Sequence, residues 1–193
     1  MKKYVTIGFM VLSIGIAKGQ EVKFGVKGGL NFMNISGNQG SGTGKVGFHV
    51  GGLVEFKLSE KFAIQPELLY STTGTKQNFY GIEFNSTLSY INLPIMAKYF
   101  VVKGLSIEAG PQIGYLVSDK ETANSVLVVF EGSNLKKIDY GMNVGAGYAL
   151  ENGLMFQVRY YVGMANISKT DLYSDANIKS HNTGFQVSLG YKF

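Results

Sequence analysis

Along most of the chain, apolar and polar side chains alternate with a period of two, as on a β-strand with one apolar face. Eight stretches carry the pattern: 22–34, 45–58, 61–73, 87–100, 105–117, 136–150, 154–166 and 181–193. In the last, Phe185, Val187, Leu189, Tyr191 and Phe193 alternate with Gln186, Ser188, Gly190 and Lys192. In the fifth, Leu105, Ile107, Ala109, Ile113 and Tyr115 alternate with Ser106, Glu108, Gly110, Gln112 and Gly114. A strand that crosses a bilayer needs about 9–11 residues. Eight such strands predict an all-β fold, an eight-stranded antiparallel transmembrane β-barrel with up-and-down meander topology.

The connections alternate in length as well. Strands two and three, four and five, and six and seven are joined by short segments at 59–60, 101–104 and 151–153. The remaining connections, 35–44, 74–86, 118–135 and 167–180, are long and mostly polar. Short turns on one side and long loops on the other are the arrangement of an outer-membrane barrel, with both chain ends on the short-turn, periplasmic side.

Alternation alone does not say which face is outside, because a lipocalin-like barrel shares the strand count with an apolar interior. Composition separates the two. Charged residues make up 16% of the chain, against about 25% in soluble domains, so the polar face is a poor exterior for a soluble protein. That face is dominated by Gly, Ser, Asn and Gln, which suit a narrow filled lumen, while the apolar faces carry no charge. The chain has 12 Tyr and 13 Phe, many of them near strand ends. Phe56, Phe62, Tyr99, Tyr148, Phe156, Tyr191 and Phe193 fall near the short turns; Phe32, Phe48, Tyr70, Tyr115 and Tyr140 fall towards the loops. Two aromatic girdles at the bilayer interfaces account for that placement. The expected environment is outer membrane lipid.

Residues 1–19 are set apart from the fold. Lys2 and Lys3 precede an apolar stretch from Tyr4 to Ala17, and Ala17-Lys18-Gly19 supplies small residues for signal peptidase, with cleavage expected before Gln20. The domain division is thus a signal peptide at 1–19 and a barrel at 20–193. Without Lys2, Lys3 and Lys18 the 18 basic residues fall to 15 against 13 acids. The sequence pI of about 9.2 is therefore no argument for nucleic acid as a partner. Zero Cys excludes a disulfide scaffold, a thiolate metal site, a cysteine nucleophile and a lipoprotein anchor.

Several motifs resemble a known family. They are Gly25-Val26-Lys27-Gly28-Gly29-Leu30-Asn31-Phe32, Gly47-Phe48-His49-Val50-Gly51 leading to Phe56-Lys57-Leu58, and Gln65-Pro66-Glu67-Leu68-Leu69-Tyr70-Ser71 followed by Gly74. Tyr90-Ile91-Asn92-Leu93-Pro94 and the closing run from Gly184 to Phe193 complete the series. In this order they are similar to the PorT-like outer membrane β-barrel domain of Bacteroidota, often called a porin family. The resemblance covers the whole of 20–193. It implies the small barrel fold, recognition of the terminal aromatic by the barrel assembly machinery, and for some relatives a part in type IX protein secretion.

Candidate catalytic chemistry is sparse. The Gly-rich stretch from Gly37 to Lys45 fails the phosphate-loop pattern, with Gln39 at the first Gly position and Val46 after Lys45. Adjacent Ser180 and His181 would point to opposite faces of a strand, which does not suit a nucleophile and its base. His49 has no second His near it and reads as a lumen residue. No enzyme, metal or cofactor is expected.

The inward charges Lys27, Glu67, Lys98, Glu108, Asp139 and Arg159 come from different strands. An eight-stranded interior is about wide enough for side chains only, so these charges must pair or meet water. The expectation is a network including Glu67, Glu108 and Arg159; the alternative is a narrow ion path. In the third long loop, Val126, Leu127, Val128, Val129 and Phe130 form an apolar run. It either extends strands five and six as a hairpin with an edge for a protein partner, or folds back on the rim. The functional expectation is a non-enzymatic membrane scaffold that interacts through its loops. A low-conductance channel is the alternative.

Overall fold

The computed structural model describes residues 21–37, 43–79, 82–123, 126–128, 135–166 and 180–193. The strands are β1 (Glu21–Gly37), β2 (Thr43–Lys57), β3 (Phe62–Phe79), β4 (Ile82–Val102) and β5 (Leu105–Ala123). Then come the short β6 (Val126–Val128), β7 (Ile138–Ala149), β8 (Leu154–Gly163) and β9 (Ser180–Lys192). Each long strand pairs antiparallel with its neighbours, β1 pairs with β9, and β4–β5 and β5–β7 complete the circuit. The result is a closed eight-stranded meander, with β6 added to the extended end of β5. Closure matters physically, because hydrocarbon offers no hydrogen bonds and an open sheet edge would leave backbone groups unpaired.

Alternation in sequence becomes alternation in burial. Along β9, Phe185, Val187, Leu189 and Tyr191 face out, as does Phe193 just after it, while Gln186, Ser188 and Lys192 are buried. The exterior is a continuous apolar belt, far larger than the patches soluble monomers expose. Of the expected girdle residues, Phe62, Tyr70, Tyr115, Tyr140, Tyr148, Tyr191 and Phe193 are exposed, and Phe56 and Tyr99 are half-buried. Phe62 packs on Tyr99 and Tyr191 on Phe193 near the short turns; Phe48 packs on Tyr70 and Tyr160 on Phe185 nearer the loops.

Three boundaries differ from expectation. The turn expected at 101–104 is tighter, since Val102 pairs with Leu105 and only Lys103 and Gly104 turn. Gly104 has φ +85°, a left-handed conformation that glycine adopts without penalty. On the opposite side, the loop expected at 74–86 is mostly strand, with pairing carried out to Phe79 and Ile82. Similarly, β5 runs beyond Val117 to Ala123, and Ala123 pairs with Val126 at the start of β6. β4 is 21 residues long, about twice what crossing requires. Above the lipid both faces of a strand meet water, so the apolar period disappears while the backbone ladder continues. Residues 38–42, 129–134 and 167–179, which include Val129 and Phe130, lie outside the described residues, as does 1–20.

Candidate functional site

The lumen is filled by successive tiers of polar side chains, each set by strand register. Nearest the short turns, Glu55 accepts from Lys98 at 2.8 Å and from Lys192 at 2.9 Å. Lys98 also donates to Gln65 at 3.0 Å, and Gln65 donates to Glu67 at 2.6 Å, linking this tier to the next.

The middle tier centres on Arg159, which is 1% exposed. Its guanidinium donates to both Glu67 oxygens at 2.6 and 2.9 Å and through Nε to Glu108 at 2.5 Å. A planar fork matched to a carboxylate in this way gives the strong bidentate geometry. Lys27 pairs with Glu67 at 2.7 Å and donates to Gln157 at 3.2 Å, and Gln157 donates to Glu108 at 3.3 Å. Two cations thus face two carboxylates. Arg159 lies opposite Gly145, where an added Cβ would sit 2.9 Å from its Cγ. The missing side chain there is part of how a long arginine fits a narrow barrel.

Above this, His49 bridges Asn31 and Ser188 through its two ring nitrogens, each at 2.8 Å. Asn31 donates to Ser71 and to the Thr72 carbonyl, both at 2.9 Å. The upper tier holds Asp139, which accepts from Asn182 at 2.8 Å beside Tyr90 and Tyr161. Leu88, Tyr90 and Leu116 pack together there, with Leu135 against them.

Of the six expected lumen charges, Lys27, Glu67, Glu108 and Arg159 share one cluster. Lys98 belongs to the Glu55 tier, and Asp139 stands apart. Register gives the reason: Asp139 is six positions up β7 from Gly145, about 20 Å of strand at 3.3 Å per residue. Glu55 and Lys192 were absent from the expected set, although strand parity places both on the inward face. The interior is also less polar than expected, since Leu53, Leu69, Met96 and Met155 are buried inside it. At the rim, His181 turns Nδ1 to the Ala165 carbonyl at 2.9 Å.

The outer membrane protein beta-barrel domain family matches residues 17–169. The structure is similar to the crystal structure of Neisserial surface protein A (NspA), at 12% identity and a TM-score of 0.60, over 91% of this chain and 100% of that one. It is also similar to Ail, the attachment invasion locus protein of Yersinia pestis, at 11% identity and a TM-score of 0.53, over 90% and 99% of the two chains. No curated protein sequence matches the chain.

Proposed function

This chain belongs to the outer membrane protein beta-barrel domain family, and from that premise we propose that it is a non-enzymatic, closed-lumen scaffold of the outer membrane that works through its extracellular surface. The observation that carries the reading is the Arg159–Glu67–Glu108–Lys27 cluster, all four residues 3% exposed or less. Charges paired directly across an interior about one side chain wide leave no room for a hydrated solute. The strands that rise beyond the membrane, β3 to β6, then form the working face, and a rigid barrel beneath gives such a face a fixed geometry. Edge pairing at Val126–Val128 is one route by which a protein partner would bind.

Under this reading the first 19 residues are removed on export and both termini are periplasmic. The finer kinship is with PorT-like barrels of Bacteroidota, on the motifs at 25–32, 65–71 and 90–94. An accessory part in type IX protein secretion is the corresponding specialised role.

The test is single-channel conductance of refolded 20–193 in a planar bilayer. Folded protein is expected to be silent. Reproducible current steps that shift on substitution of Glu67 or Arg159 would replace this reading with that of a narrow channel.

A further inference from the structure

We infer that the upper lumen is a binding site for one monovalent alkali cation, held by oxygens of Asp139, Asn182, Tyr161 and Thr73. These residues come from β7, β9, β8 and β3, and all four are buried, at 5%, 3%, 2% and 7% exposure. They line one cavity of about 20 Å³, room for a single water-sized occupant. Among the described residues Asn182 Oδ1 and Thr73 Oγ1 have no hydrogen-bond partner, and Asp139 Oδ1 and Tyr161 Oη, which lie within reach of each other, have none of good geometry. Buried polar atoms are nearly always satisfied, so four such oxygens around one small space mark a missing occupant.

Charge decides what that occupant is. Glu55, Glu67 and Glu108 each have a lysine or arginine within 2.5–2.9 Å. Among the described residues no Lys or Arg forms an ion pair with Asp139. Its polar neighbours are neutral, the Asn182 amide on one oxygen and the Tyr161 hydroxyl, and His181, beside Asn182, is turned to the Ala165 carbonyl. A water would satisfy the dipoles but leave the buried carboxylate uncompensated, which is expensive. A cation satisfies both needs. The donors are all oxygen, the choice of hard ions, and calcium takes 6–8 such ligands, usually with several carboxylates. One carboxylate balances one unit of charge, so the ion is of the sodium class. It would tie β3, β7, β8 and β9 together beside the Leu88–Tyr90–Leu116 cluster.

The experiment is unfolding of the refolded barrel in detergent at fixed ionic strength, with sodium chloride exchanged against N-methylglucamine chloride. The midpoint is expected to rise with sodium and then level off, as for any ligand that binds only the folded state. Thallium(I)-soaked crystals are expected to show an anomalous peak among the four oxygens. Asp139→Asn removes both effects while keeping an acceptor for Asn182. Thr73→Val leaves the charge and raises the half-effective sodium concentration several-fold, which keeps the test decisive should Asp139→Asn fold poorly. Equal midpoints in the two salts, or a site with a water and no anomalous peak, would overturn the inference; a protonated Asp139 would give that result.

Discussion

Arg159→Leu is expected to unfold at much lower urea than the native barrel, with a loss of about 3–5 kcal/mol, the cost of breaking a buried ion pair. The guanidinium makes three hydrogen bonds to two carboxylates and is 1% exposed. Leucine fills much of the volume but donates nothing. Glu67 would keep Lys27 and Gln65, whereas Glu108 would retain only the Gln157 amide at 3.3 Å. The penalty therefore falls mainly on Glu108, left without a direct ion pair and with Lys27 as its nearby cation. Glu108→Gln gives the contrast, because Arg159 then keeps its bidentate pairing with Glu67, and its loss is expected to be clearly smaller. Heat-modifiable gel mobility against urea reads both. If Arg159→Leu and the native barrel share a midpoint, the cluster is not what holds the lumen together.

Val144→Arg is expected to cost about 2–4 kcal/mol in phospholipid vesicles, the range for a charge on the lipid face at mid-depth. Val144 is 55% exposed and lies midway along β7 between Tyr140 and Tyr148, both outward. Ile138 is equally exposed at the loop end of the same strand. There the arginine reaches the interface, and the expected cost is about 0–1 kcal/mol. Vesicle unfolding titrations of the two variants make the comparison on one strand and one face. Equal small losses would mean that water, not hydrocarbon, covers the belt.

How much of this was legible beforehand depends on the position along each strand. Where a strand crosses the bilayer, lipid on one face and a packed lumen on the other impose opposite demands on successive residues. The sequence therefore repeats every two positions, as at Phe185 to Phe193. Beyond the bilayer-crossing part that constraint lapses. Thr75, Lys76, Gln77 and Asn78 read as loop, yet they pair in register with Ser86, Asn85, Phe84 and Glu83. The backbone ladder needs no apolar side chain to form, so it left no trace in the pattern.

The same division runs through the site. Parity along each strand alone put Lys27, Glu67, Lys98, Glu108, Asp139 and Arg159 inside, because a charge facing lipid is too costly to place outward. Parity carries no height, however. Only the register of eight strands brought Arg159 level with Glu67, gave Lys98 to Glu55 and Lys192, and left Asp139 among neutral oxygens. Inside or outside is a local choice made residue by residue. Which inward charges meet is fixed by strand stagger, a property of the closed barrel that no single strand contains.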